Sequence, residues 1–228
     1  MGTQNGLLDD IDHYLRDLIR EHIESFAERL PVRSIAVVGN APVEPSAERA
    51  KRIDACDVVI RVNSFWLDPV TGPPSHGRKV HVVVFNRQLR AATAFLENYR
   101  KRAYLIAEGG HIVHRTNRLY PSYWPEDLGC WPIANRAVVA DLRTLIDPTG
   151  ESGLVVPTTG MLAAYLGHLL FPDANLELAG FSFLTQPDQT TWAHHVGGTV
   201  PVSKEHDLAK EGALMQSWID TGRATLLA

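Results

Sequence analysis

The sequence predicts a single α/β domain, Rossmann-like in layout, with a mainly parallel sheet flanked by helices. Three observations carry this. The stretch from Ser34 to Asn63 reads as strand, tight turn, helix, strand: an apolar run over Ile35–Val38 stops at Gly39-Asn40, a polar helical segment follows, and a second apolar run over Val58–Val62 stops at Asn63. Strand-like and helix-like segments then alternate to the end of the chain, the pattern of a parallel sheet covered on both faces. A chain of 228 residues, 45% hydrophobic and 21% charged, suits one globular domain with a full core rather than a disordered or membrane-spanning polypeptide.

Residues 1–33 are set apart as an amphipathic helix. Leu7, Ile11, Leu15, Leu18, Phe26 and Leu30 form a stripe, widened by Ile19 and Ile23, opposite Asp12, Arg16, Arg20 and Glu24. Pro31 ends it. Such a stripe packs on the sheet or on a second copy, so a homodimer through this helix is one expected partnership. Asp10-Ile11-Asp12 has the form of a metal-binding Asp-x-Asp, but mid-helix and away from any strand end it is assigned no metal.

Residues 34–228 form the main domain. After the opening unit come a Gly- and Pro-rich loop over Asp68–Gly77, a strand over Lys79–Phe85 closed by Asn86, a helix near Leu89–Arg102 and a strand over Ala103–Ala107. From Glu108 to Ile133 there is little periodicity, but Tyr120, Tyr123, Trp124 and Trp131 fall here with His111 and His114. A loop of that length is either a substrate lid or a surface excursion held by its aromatics. A helix near Asn135–Ile146 leads to an apolar strand that ends at Pro157-Thr158-Thr159-Gly160. An apolar helix over Met161–Leu170, a strand over Leu176–Phe183, a loop over Pro187–Pro201, a helix over 206–221 and a final strand over Ala224–Leu227 complete the chain.

Composition narrows the function. A net charge of −4 gives no basic footprint for nucleic acid. Cys56 and Cys130 have no ligand-like spacing, so neither a disulfide scaffold nor a zinc site is expected, and a reducing compartment is the simpler inference. The N-terminus carries Asp9, Asp10 and Asp12 in place of a basic-then-apolar signal pattern. No apolar run approaches the roughly 20 residues of a membrane span. The expected location is cytoplasmic.

The candidate site residues gather at strand ends. Asn40 and Asn63 each close a strand, at the sheet edge where open α/β proteins bind ligands. Gly39-Asn40 lacks Gly-x-Gly-x-x-Gly, and there is no Walker lysine, so a nucleotide or phosphate compound is favoured over a dinucleotide. An asparagine offers an acceptor and two donors to a ribose, base edge or phosphate, although either one alone is equally a turn residue. Thr158 or Thr159 is placed to cap the next helix, whose first-turn N–H groups then face an anion. His206 and Glu211 open the last helix, with Glu211 expected to orient the His206 imidazole as a general base. His194-His195 lie just upstream in a Gly-bounded loop and offer a second imidazole.

Taken in order, these pieces resemble the sialylmotifs of the animal-type sialyltransferases, glycosyltransferase family 29. Val37-Val38-Gly39-Asn40 through Ile53-Asp54, Asp57 and Arg61-Val62-Asn63 is similar to sialylmotif L, and Gly77-Arg78 and His81 continue it. Leu154–Phe181 is similar to sialylmotif S, with Pro157-Thr158-Thr159-Gly160 where the family has Pro-Ser-Thr-Gly. His195 resembles motif III, and His206 with Glu211 the very short motif. A more distant likeness to the bacterial sialyltransferases of family 42 shares the Gly-Asn and Thr-x-Gly elements.

The resemblance implies a variant GT-A fold and an inverting, metal-independent transfer from a CMP-sugar donor to an acceptor hydroxyl, with no separate cofactor. It implies that Asn40, Asn63 and Gly39 hold the CMP portion, and that Thr158, Thr159 and Gly160 contact its ribose and phosphate. His195 would assist the departing phosphate, and His206 would be the base. The chain departs from the family in three respects. The disulfide between motifs L and S has no counterpart, which argues for a soluble bacterial-type relative. Val196-Gly197-Gly198 follows motif III where aromatics are usual, so His194 is the alternative to His195. The acceptor-recognition region is short, which leaves open whether the sugar is sialic acid, 3-deoxy-octulosonate or another. The competing readings are a CMP-binding or CMP-sugar-hydrolysing protein that transfers nothing, and an accessory protein whose N-terminal helix docks a partner.

Overall fold

In the computed structural model, residues 2–86, 92–107, 124–133, 135–151, 153, 155–194 and 198–227 are described. Their core is a seven-stranded sheet in which every pairing is parallel. The strands are β1 (Ser34–Val38), β2 (Val58–Val62), β3 (Val82–Phe85), β4 (Ala103–Ile106), β5 (Trp131–Pro132), β6 (Asn175–Ala179) and, at the C-terminus, β9 (Ala224–Leu226). Their spatial order is β5-β4-β3-β2-β1-β6-β9. The chain thus builds outward from β1 in one direction as far as β5, then returns to β1's other side for β6. The topological switch lies between β1 and β6, and ligands in open α/β sheets bind outside the carboxyl ends of strands at such a point.

Strand alternation explains the two-sided burial. Ile35 and Val37 of β1, Val58 and Ile60 of β2, and Val82 and Val84 of β3 enter one core. Ala36, Val38 and Val59 enter a second, and Val83, Phe85, Tyr104 and Ile106 a third. Side chains along a strand point to opposite faces, so a sheet covered on both sides needs apolar residues at consecutive positions.

The helix α1 (Gly2–Glu24) buries Ile19 and Ile23 in the largest core, while Leu7, Ile11 and Tyr14 nearer its start are exposed. Arg16 fixes it through an Nε bond to the Ala137 carbonyl at 2.7 Å and an ion pair with Asp141. Ala137 lies in a π-helical stretch, Asn135–Ala140, that continues as a regular helix over Asp141–Ile146. The helix α2 (Ala47–Ala55) is capped by the Ser46 hydroxyl, which accepts from the Arg49 N–H. The helix over Thr159–Leu170, here αS, is buried almost all round and packs against β1, β2 and β6. The helix over Leu208–Asp220, here αC, is capped by Asp207.

Several sequence expectations change: the first helix ends at Glu24 instead of at Pro31, and the strand expected over Leu176–Phe183 ends at Ala179 and is followed by a 3-10 turn over Ser182–Leu184. In place of a helix over Leu89–Arg102 there is a short turn of helix, Thr93–Leu96, and a 3-10 turn, Tyr99–Lys101; Asn98, left-handed at φ 52°, separates them, and residues 87–91 lie outside the described residues. The Pro187–Pro201 loop contains an antiparallel hairpin, β7 (Thr191–Ala193) with β8 (Thr199–Pro201). The run before Pro157 is not a strand among the described residues. Both backbone groups of Val156 bond elsewhere: its N–H donates to the Glu205 carbonyl at 2.9 Å, and its carbonyl receives His206.

Candidate active-site cleft

A cleft of about 540 Å³ opens at the switch point. Its floor is the carboxyl ends of β1 and β6, where two backbones nearly touch. The Gly39 N–H donates to the Ala179 carbonyl at 2.8 Å, and the Ala41 N–H to the Gly180 carbonyl at 3.1 Å. A Cβ on Gly39 would lie 2.3 Å from the Gly180 oxygen, and Gly180 itself has φ +70°. Only glycines permit this crossing. Gly39 therefore shapes the cleft floor through its missing side chain.

Asparagines end three adjacent strands. The Asn40 Nδ2 donates to the Val62 carbonyl at 2.9 Å, which ties the end of β1 to that of β2. Asn63 has φ 49°, a left-handed conformation that asparagine tolerates better than most residues. Its Oδ1 accepts from the Asn86 N–H at 3.1 Å, and the Asn86 Nδ2 reaches the Thr159 hydroxyl at 3.4 Å. Sequence reasoning placed Asn86 at a strand end without assigning it to the site. The signal was available, because Asn86 ends β3 as Asn40 and Asn63 end β1 and β2.

The opposite wall is the N-terminus of αS. The Thr158 hydroxyl caps it, accepting from the Met161 N–H at 3.1 Å. The Thr158 N–H donates to Glu211 Oε1 at 2.9 Å, and its hydroxyl lies 2.6 Å from Glu211 Oε2. The N–H groups of Thr159 and Gly160 bond to no acceptor among the described residues, and both residues line the cleft. Two such donors at a helix N-terminus, where the helix dipole is positive, suit an anion.

Glu211 departs from its expected role. It is fully buried, and both of its oxygens serve Thr158, not His206. Burial pushes its carboxyl up to about 7, against the lowering effect of the two Thr158 bonds; nearby Asp207 pushes the same way as burial. His206 is instead oriented by the backbone. Its Nδ1 lies 2.6 Å from the Val156 carbonyl, which only accepts, so Nδ1 carries a proton and Nε2 is the nitrogen that this contact leaves available. His206 lines the cleft and also borders a shallower hollow of about 330 Å³ formed by segments 187–189 and 202–209.

The structure thus brings Gly39, Asn40, Asn63, Thr158, Thr159, Gly160 and His206 to one cleft. His194 joins them at the end of β7. His195 lies outside the described residues, as do His111, His114, Tyr120 and Tyr123. Phe181, Phe183 and Trp192 form an apolar wall that sequence reasoning did not anticipate. Trp192 was hidden by the reading of its hairpin as loop.

The other motif residues are architectural. Asp57, buried, accepts from the Arg33 and Ser34 N–H groups at 3.0 and 3.1 Å, from the Ser34 hydroxyl at 3.0 Å and from Arg29 at 2.7 Å. Asp54 accepts from the Arg78 and Lys79 N–H groups. Arg61, 1% exposed, donates to the Lys79 and His76 carbonyls and thereby holds the 68–79 loop; burial lowers its pKa to about 10. His81 accepts from the Val59 N–H through Nδ1. Both cysteines are free thiols, and burial pushes each up to about 12. Among the described residues no cluster of three metal-ligating side chains occurs, and no helix is long and apolar enough to cross a membrane.

A parallel sheet with a polar cleft at its switch point has the layout of the nucleotide-binding α/β proteins. The structure is similar to the crystal structure of a mammalian sialyltransferase, with 17% identity and a TM-score of 0.55, over 93% of this chain and 78% of that one. It is similar also to a mammalian sialyltransferase in complex with Gal-beta-1-3GalNAc-ortho-nitrophenol, with 17% identity and a TM-score of 0.57, over 93% of this chain and 79% of that one. At that identity the likeness is one of fold. No protein-family model matches the chain, and no curated protein matches it.

Proposed function

We propose that the protein is a glycosyltransferase that moves a sugar, sialic acid or a related one, from a CMP-sugar to an acceptor hydroxyl with inversion. The observation that carries this reading is the convergence of Asn40, Asn63, Thr159, Gly160 and His206 on one cleft, in a fold shared with sialyltransferases. The strand-end asparagines hold the cytidine and ribose. The Thr159 and Gly160 N–H groups take the phosphate, where negative charge grows as the bond to the sugar breaks. The acceptor oxygen attacks the anomeric carbon, the bonding electron pair leaves with the CMP phosphate, and the acceptor proton passes to His206 Nε2. The Val156 carbonyl holds the ring in the tautomer this step needs. His195 or His194 donates to the departing phosphate. A phosphate monoester is a competent leaving group, so this route is written without a divalent cation.

Calorimetric titration with CMP, UMP and GMP, each with and without EDTA, tests the reading. CMP is expected to bind in preference to the other two and with the same affinity in EDTA. Equal binding of all three nucleotides, or of none, refutes it.

A further inference from the structure

Glu211 stands out as a fully buried carboxylate whose two oxygens are spent on the cleft's anion-binding turn. We propose that Glu211 is the positioning residue of that turn and takes up a proton from solvent when a nucleotide phosphate enters the cleft. The proposal rests on the nucleotide reading above. The geometry supplies the reason. Thr158 stands between the carboxylate and the two unpaired N–H groups of Thr159 and Gly160, so a phosphate there adds a second negative charge close to the first. Like charges in a site removed from water resist joint ionisation. The coupling is reciprocal: what raises the carboxyl's proton affinity on binding is strengthened, as binding, by the proton.

The hydroxyl of Thr158 is the moving part. A hydroxyl has one hydrogen and two acceptor lone pairs. With Glu211 ionised, that hydrogen goes to Oε2, and a lone pair takes the Met161 N–H. With Glu211 protonated, Oε2–H donates to Oγ1 across the same contact, Met161 keeps its bond, and the Thr158 hydrogen turns outward to the ligand. The Thr158 N–H bond to Oε1 survives in both states. No heavy atom needs to move. Protonation thus removes a negative charge behind the helix N-terminus and adds a donor in front of it.

Other titratable and charged groups lie on the elements around Glu211. They are Lys204, Glu205, His206, Asp207, Lys210 and Asp220 on αC and its approach, Asp141, Arg143 and Asp147 at the preceding helix, and His168 and Arg223 on αS and before β9. The turn over Ser182–Leu184 brings none. Of the groups named, Asp207 acts on the Glu211 carboxyl and favours its neutral form. Burial sets that carboxyl near neutrality, so both forms are accessible where the protein is assayed.

The test compares CMP binding by the wild type and Glu211→Gln, in two buffers of different ionisation enthalpy and across the pH range just above neutrality. The glutamine carbonyl accepts the Thr158 N–H and its amide donates to Oγ1, which imitates the protonated acid. For a single coupled proton the wild-type Kd is expected to rise with pH by up to about tenfold per unit. Glu211→Gln is expected to show a flatter profile, a smaller proton uptake and tighter binding than the wild type at the alkaline end. Titration of the ligand is common to both proteins and cancels in the comparison. Equal proton uptake and equal slopes overturn the coupling while leaving the nucleotide reading intact; absence of CMP binding at every pH overturns both. Should Glu211→Gln fail to fold, the infrared difference spectrum of the wild type decides. A new protonated-carboxyl band on CMP addition supports the proposal, and its absence refutes it.

Discussion

Replacing Gly39 by alanine tests whether the β1–β6 crossing builds the cleft. A Cβ there would stand 2.3 Å from the Gly180 oxygen and 3.0 Å from its carbonyl carbon, both backbone atoms of the neighbouring chain segment. No rotamer change relieves the clash, so the two backbones must separate. The first casualties are the Gly39–Ala179 and Ala41–Gly180 hydrogen bonds. Each buried donor left unsatisfied costs about 1–3 kcal/mol, and forced overpacking alone costs about 1–3 kcal/mol. Because strain relief and bond loss trade against each other, the expected destabilisation is about 2–4 kcal/mol. Urea unfolding followed by far-UV circular dichroism measures it, with an unchanged m-value as the check that the midpoint shift reports stability. Gly129→Ala is the control, since its Cβ meets nothing within 4 Å and its φ is not positive; there the expected change is a gain of up to about 1 kcal/mol. A Gly39→Ala protein within about 0.5 kcal/mol of wild type would show that the crossing is slack, and the account of the cleft floor would fail with it.

Three further outcomes are expected. His206→Ala retains CMP affinity and loses transfer by about 10²–10⁴-fold, the usual worth of a positioned base; an unchanged turnover number removes His206 from the mechanism. Asp57→Ala costs about 2–4 kcal/mol through unsatisfied N–H groups at the head of β1. Burial pushes the Asp57 carboxyl up, but the Arg33, Ser34 and Arg29 bonds outweigh it and hold the group below its ordinary 3.8. Its contribution is therefore present above that value and lost as pH falls through the lowered one, so acid unfolding curves of wild type and Asp57→Ala should converge at low pH; parallel curves refute the assignment. Asn63→Ala costs about 1 kcal/mol for the left-handed backbone plus the Asn86 bond, whereas Asn63→Gly loses only the bond, and equal thermal shifts for the two would show that backbone strain is not the cause.

The parallel core was legible because burial on both faces leaves unbroken apolar runs, as in Ile35–Val38 and Val82–Phe85. Strand ends were legible too, since Gly39, Asn63 and Asn86 break those runs. What escaped was set by tertiary partners. The Trp192 hairpin has strands too short to show alternation. Asn98 breaks a helix by adopting a conformation that its sequence context does not announce. The roles of Glu211 and Val156 depend on which of several acceptors lies within reach of Thr158 and His206, and sequence spacing is silent on that distance. The same limit explains why a motif-level reading grouped Asp54, Asp57 and Arg61 with Asn40 and Asn63: the first three hold loops and strand heads, while the last two face the cleft.

The switch between β1 and β6 also sets the order in which the molecule can assemble. Ser34 pairs with Asn175, so β1 waits for more than half of the chain before its second edge is covered. Until then β1 presents a free edge of backbone donors and acceptors, a template for mispairing. Non-local parallel pairing of this kind folds slowly and leaves apolar strands exposed for longer. The cleft, whose walls come from segments as distant as Gly39 and His206, forms only with that last closure. Recovery of ligand binding during refolding should therefore coincide with the slowest phase, after most helical signal has returned.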